Sequence, residues 1–198
     1  GTRPRSESKG SARYVRLLQQ FGSVVTFDFP AVDIMRYTAL HKSAVAEAML
    51  RFPGCVIFLA GHSMGCRGCV NVINSLAVGD ALFTSLGGLV LFNYPLHPPN
   101  PSSKELANAR LAPLEQLPPN IQVLFCSADN DKMSNSAGEG QLWTSMESVS
   151  QKLQAQTRLH LRQGGGHGMT LSKKDEEAPE ASGVSGADQD LLAAVGDF

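Results

Sequence analysis

Ser63 stands at the centre of Gly61-His62-Ser63-Met64-Gly65, between the apolar run Val56–Ala60 and the segment Cys66–Ile73. A Gly-x-Ser-x-Gly between a buried strand and a helix is the setting in which a serine is forced onto a sharp turn and becomes a nucleophile. Its hydroxyl is a poor nucleophile until a base takes the proton, so Oγ must stand clear of the backbone where an imidazole can reach it. The flanking glycines let strand and helix approach closely. The N–H of Met64, at the head of the helix, would then face the oxyanion that develops during acyl transfer. His62, inside the same turn, is assigned to the substrate pocket. In a chain with 19 glycines the pentapeptide alone is a weak signal; its flanks and downstream partners give it weight.

The partners should follow in the order acid, then histidine, each after its own strand. Ile121–Cys126 reads as a short buried strand running into Ser127–Met133, a polar loop with two carboxylates, Asp129 and Asp131. One of them should orient the base. Thr157–Arg162 reads as a last strand, ending in Gln163-Gly164-Gly165-Gly166-His167-Gly168-Met169. A histidine set among glycines at the C-terminal end of a strand has no packing role to explain it, so His167 is the base.

Four strings together, Gly61–Arg67, Gly88–Pro99 with its Tyr-Pro-x-His-Pro-Pro, Val123–Asp131 and Gly165–His167, carry a resemblance over about residues 12–170. They resemble the α/β-hydrolase-like family that includes the testis-expressed hydrolase-like protein and the third regulatory subunit of the NSL (non-specific lethal) histone acetyltransferase complex. Dienelactone-hydrolase-type enzymes are wider relatives. In that family the acid lies three residues after a glycine. Ala128 takes the glycine's place here, so the resemblance puts the acid on Asp131 rather than Asp129. It also implies an α/β-hydrolase fold, a mostly parallel sheet with helices on both faces, hydrolysis of an ester or thioester through an acyl-serine, and no cofactor. The chromatin-complex subunit implies a competing use of the same fold as a weakly active or inactive scaffold for protein partners.

The family's histidine-glycine-rich loop after an early strand, which supplies a second oxyanion donor, has no counterpart here. Residues 1–10 are polar and hold no strand candidate. The expectation is a sheet without its N-terminal strands, either because the sequence is a fragment or because those strands are lost, with half of the oxyanion hole unaccounted for.

The elements that must position these groups alternate in type. Ser11–Phe21 is expected to be an amphipathic helix closed by Gly22, Val24–Phe29 a strand, and Tyr37–Arg51 a helix with Leu40, Val45 and Met49 inward. After the helix that follows Ser63 come a strand over Leu89–Phe92 and a proline-rich stretch over Pro95–Asn120 with a short helix near Lys104–Arg110. Gly140–Gln156 is expected to be helical, with Leu142, Trp143, Met146, Val149 and Leu153 inward. Strands alternating with helices imply a mostly parallel sheet covered on both faces. Tyr94 and His97 lie just past a strand's C-terminal end, where open α/β sheets place their ligand crevice, and are assigned to the substrate pocket.

At 198 residues and 42% hydrophobic, the chain can bury one sizeable core, so one domain over residues 11–170 is expected. A polar segment over 1–10 precedes it and a flexible acidic tail over 171–198 follows. Within that tail, Leu191–Val195 is compatible with a helical turn or two docked on the core. With 17 basic and 18 acidic residues and no basic stripe, nucleic acid is not an expected ligand. No apolar run approaches the roughly 20 residues of a membrane span, and a cytoplasmic location is expected, with a nuclear one open. Cys66 and Cys69 form a Cys-x-x-C, but they fall in a helix that must pack on the sheet. They read as small buried side chains, and no metal site is expected.

Overall fold

The computed structural model describes residues 9–27, 34–97, 104–135, 145–169 and 188–198. Among them, β1 (Ile57–His62), β2 (Leu86–Phe92), β3 (Gln122–Ala128) and β4 (Gln156–Arg162) form one parallel sheet in the order β1-β2-β3-β4. The helices are α1 (Lys9–Leu18), α2 (Ile34–Arg51), α3 (Met64–Asn74), α4 (Ala81–Thr84), α5 (Lys104–Glu115), α6 (Lys132–Asn135), α7 (Met146–Ser150) and α8 (Gln189–Gly196).

The two central strands are mostly apolar, β3 opening on the exposed Gln122 and holding the buried Ser127, because both of their faces are covered. Leu89, Leu91, Val123 and Phe125 point to one side, into a core with Val45 of α2, Cys69 and Ile73 of α3, Leu114 of α5 and Val149 of α7. Val90, Phe92, Leu124, Cys126 and Ala128, on the alternate positions, point to the other side and meet Tyr14 and Leu17 of α1 and Leu191 of α8. The period of two along each strand thus divides one apolar run between two cores. Both cores close against the same sheet, and all strands run the same way. The exits of β1, β2, β3 and β4 therefore lie along one edge, which carries Ser63, Asn93, Asp131 and His167.

Several expectations are corrected. Val24–Phe27 forms no strand; Val25 and Phe27 are 39% and 40% exposed, and an alternating apolar segment becomes a strand only with a neighbour to pair with. The other two residues of that expected strand lie outside the described ones. In α2 the buried line runs through His41 and Val45, one turn apart, and leaves Leu40 exposed. The helix expected over Gly140–Gln156 is confined, within the described residues, to α7. It starts at Met146 because the Ser145 side chain accepts from the Ser148 N–H as an N-cap; residues 140–144 are not among those described.

The tail expected over 171–198 is also corrected at its end. Residues 188–198 are built into the protein, with α8 packed on the sheet and Leu191 fully buried, because its apolar face completes the core above β3 and β4. Residues 171–187 lie outside the described ones. Among the described residues no helix is long and apolar enough to cross a membrane.

Candidate active site

The turn at Ser63 is built from local backbone. Ser63 adopts φ 53° and ψ −115°, a region an L-residue enters at a cost of about 1–3 kcal/mol and keeps only when its surroundings impose it. They do so here. A Cβ on Gly61 would lie 2.5 Å from Gly65 C and 2.6 Å from Cys66 N, so β1 and α3 touch backbone to backbone. Gly65, by contrast, has open space where a Cβ would go. The Ser63 N–H donates to Phe92 O at 3.1 Å, carrying the β1–β2 ladder into the turn. Beneath it, the buried Cys66 thiol donates to Gly61 O (3.1 Å) and Phe92 O (3.2 Å). Burial pushes that thiol far above its ordinary pKa.

Three of the expected site residues meet in one hydrogen-bonded chain. His167 Nε2 lies 2.9 Å from Ser63 Oγ, and His167 Nδ1 lies 2.9 Å from Asp131 Oδ2. A carboxylate can only accept, so Nδ1 carries the imidazole proton and Nε2 is left to accept the serine O–H. Asp131 is 2% exposed. Burial alone would raise its pKa, but the hydrogen bonds from His167, the Ser134 hydroxyl and the Met133 N–H together hold it below its ordinary value. Asp129 takes a different part: its Oδ1 accepts from Gly164 N at 2.7 Å, closing the turn that leaves β4. Met64 heads α3, where a backbone N–H has no acceptor within the helix.

Of the residues assigned to the pocket, Tyr94 and His97 are buried in packing, while His62 lies beside Ser63. Tyr94 is fully buried, its hydroxyl donating to Arg110 O at 2.7 Å. His97 is 4% exposed, its N–H donating to Met133 O and its carbonyl accepting from Arg110. The loop after β2 folds back onto α5 and α6, and that turns both side chains into packing. His62 is half-buried. Its ring stacks on Tyr14 with centroids 5.2 Å apart, and its Nε2–H donates to His167 O at 2.8 Å. Burial lowers its pKa and favours the neutral ring.

The loop that carries His167 is held by its carbonyls. Gly166 O accepts from Asn93 Nδ2 (3.2 Å) and Met169 N (2.8 Å). His167 O accepts from Asn93 Nδ2 (2.6 Å) and His62 Nε2 (2.8 Å). Gly168 O accepts from Arg13 Nη1 and the Tyr14 hydroxyl, both at 3.1 Å. Met169 O accepts from Arg13 Nη2 (3.1 Å) and Arg162 Nη1 (2.7 Å). Asp188, ahead of α8, joins Arg13 and Arg162 in turn, and these cations outweigh burial and lower its pKa.

Asn93, Arg13, Tyr14, Arg162 and Asp188 were not singled out by sequence reasoning. Asn93 alone left a local trace, as an Asn at a strand's end ahead of Tyr-Pro, a place where its tolerance of positive φ is useful; its φ is 49°.

Solved structures share the fold. The chain is similar to a monoacylglycerol lipase from Paleococcus ferrophilus, with 14% identity over 94% of this chain and 88% of that one, at a TM-score of 0.61. Est1E from Butyrivibrio proteoclasticus is 13% identical over 99% of this chain and 86% of that one, at 0.58. An alpha-beta serine hydrolase homologue from Coxiella burnetii is 13% identical over 82% and 69%, at 0.55. Residues 14–190, which include the turn at Ser63, Asp131 and His167, match the model of the alpha/beta hydrolase domain family. By that match the chain belongs to the alpha/beta hydrolase domain family.

Proposed function

We propose that the protein is a serine hydrolase that cleaves an ester or thioester through an acyl-serine intermediate. The observation that carries this reading is the unbroken chain from Asp131 through His167 to a Ser63 held in a strained turn. Ser63 Oγ attacks the acyl carbon while His167 Nε2 takes its proton, and the Asp131 carboxylate stabilises the imidazolium. The oxyanion forms opposite the Met64 N–H at the head of α3. When the tetrahedral intermediate collapses, the bond to the leaving group breaks and His167 returns the proton to it. Water then repeats the sequence on the acyl-serine, releasing the acid and restoring Ser63. These steps need no cofactor. Family membership and the ester chemistry in a neighbour's name, monoacylglycerol lipase, support the substrate class. Within the family, the Tyr94–Pro99 string resembles that of the testis-expressed and NSL-subunit proteins and supports a place in their branch.

Labelling with a fluorophosphonate tests the reading without knowledge of the substrate. One adduct is expected, located at Ser63 by peptide mass spectrometry and absent from Ser63→Ala. A wild-type protein that takes up no probe, or a Ser63→Ala variant labelled as before, would overturn it.

A further inference from the structure

We propose that Asn93 is a positioning residue for His167, at the centre of a clamp that fills both acceptor positions of every carbonyl from Gly166 to Met169. This rests on Ser63, His167 and Asp131 being the reacting groups. The problem the clamp solves is visible in the sequence. Gly164, Gly165 and Gly166 precede His167 and Gly168 follows it. Such a stretch has the greatest backbone freedom to lose and almost no side chains to pack. Yet a catalytic imidazole must be held to within about 0.5 Å of its productive position.

A carbonyl accepts two hydrogen bonds. All four carbonyls accept two, from Asn93, His62, Arg13, Tyr14, Arg162 and the Met169 N–H. From Gly166 to Gly168 the loop's position is thus set largely through its oxygens, and at Met169 also through a side chain buried in the core.

Asn93 is the member that joins this clamp to the other two reacting groups. It follows Phe92, whose carbonyl accepts the Ser63 N–H, and its own N–H donates to Cys126 O at 2.8 Å. Its Oδ1 accepts from Ala128 N at 2.8 Å, at the end of β3 and just ahead of the Asp131 turn. Its Nδ2 reaches Gly166 O and His167 O. One fully buried side chain therefore spans the exits of β2, β3 and β4. Asparagine fits the demand because the position needs one acceptor, two donors and a positive φ. His62 leans on the same carbonyl of His167 from inside the Ser63 turn, so nucleophile and base share one strut.

The test uses the full chain with Asn93→Asp, which keeps the acceptor for Ala128 N and tolerates the backbone but places a carboxylate against two carbonyls, and Asn93→Gly, which keeps only the backbone. His62→Phe, which keeps the ring on Tyr14 but removes the donor to His167 O, is a third and independent variant. Two readouts are taken on folded protein: the fluorophosphonate labelling rate at Ser63 as a function of pH, and the nitrogen-15 and Nδ1–H resonances of the His167 imidazole.

For both Asn93 variants labelling should slow by about 100-fold, the order expected from misplacing a reacting group by about 1 Å. The pH midpoint should move and the Nδ1–H signal should weaken or vanish. His62→Phe should change all three in the same direction but less. A residue that merely stabilised the fold would lower Tm and leave the folded protein's labelling rate, pH midpoint and imidazole signals as in wild type. That result in any folded variant would overturn the proposal. If wild-type protein takes up no probe, the hydrolase reading fails, but the imidazole resonances still decide whether Asn93 sets His167: their change supports the clamp and their constancy refutes it.

Discussion

Ser63 and His167 meet at 2.9 Å, but the protein places them by opposite means. Ser63 is held largely by residues within three positions of it, through the Gly61 contact with α3, the strained φ and ψ, and the thiol of Cys66 beneath, with Phe92 O as a distant acceptor for its N–H. His167 sits on a glycine-rich loop most of whose anchors lie far away in sequence, with Arg13 and Tyr14 more than 150 positions upstream of the carbonyl they share. A nucleophile that must stand proud of the backbone can be made by local strain. A base that must aim both nitrogens at once needs long-range fixing, because no local backbone form sets two directions for an imidazole. The contrast teaches that the two halves of the site should fail differently, one sharply and locally, the other by degrees as anchors are removed.

The largest effect is expected where the two halves meet. In Asp131→Asn the amide can present an N–H toward His167 Nδ1 and stabilise the wrong tautomer, and turnover of any measured ester should fall by about four orders of magnitude. Asp129→Asn keeps an oxygen for the Gly164 N–H and should change turnover little. The reverse ranking in steady-state kinetics would remove Asp131 from the chain of proton transfer.

Next comes the local half. Gly61→Ala forces backbone against backbone at 2.5 Å and should cost about 3 kcal/mol in a denaturant titration, the upper end of ordinary overpacking. A cost below about 1 kcal/mol would mean that β1 and α3 can separate without harm.

The distant half should respond through pH. Asp188 titrates below its ordinary value in the folded protein because Arg13 and Arg162 favour its charged form over the cost of burial. A depressed carboxylate contributes stability that is fully present above the unfolded pKa and is lost as pH falls through the folded one. Asp188→Asn should therefore destabilise by about 2 kcal/mol at neutral pH, with the gap to wild type closing in acid below the ordinary carboxylate range. A gap that stays constant down to low pH would show that the ion pairs contribute nothing.

The smallest effect sharpens the contrast inside the motif itself. Gly65 faces open space without a positive φ, so Gly65→Ala should be neutral or stabilising by up to about 1 kcal/mol, the helix propensity difference. Thermal unfolding checks the sign.

What was legible in the sequence follows the same division. The Ser63 turn could be read because strand, turn and helix are contiguous and each part constrains the next. The apolar runs marked β1 and β3 closely, though β2 begins at Leu86 rather than Leu89 because Gly87 and Gly88 hide its start. The resemblance, and not the spacing, favoured Asp131 over Asp129, and the loop's hydrogen bonds give these carboxylates separate partners. Val24–Phe27 read as a strand because alternation specifies a face but not a neighbour. The wall assignment of Tyr94 and His97 missed that hydrogen bonds to Arg110 and Met133 hold that loop inward. Asp188 looked like part of an acidic tail, since nothing nearby announces that its partners are Arg13 and Arg162. Contacts between the exits of different strands leave no periodicity to read.

The four cysteines turn the site into its own stopwatch. Cys55 is exposed, while Cys66, Cys69 and Cys126 are free thiols sealed in the two cores. Only a thiolate reacts with an alkylating agent, so a buried thiol is modified no faster than the structure around it opens. Cys55 should be consumed at once, giving the zero of the clock. Cys66 lies directly under the Ser63 turn, with its proton on Gly61 and Phe92 carbonyls, whereas Cys126 sits on the opposite face of the sheet. The interval between their alkylations would report how often the strained turn relaxes while the rest of the sheet stays shut, a lifetime recorded by mass alone and without any substrate.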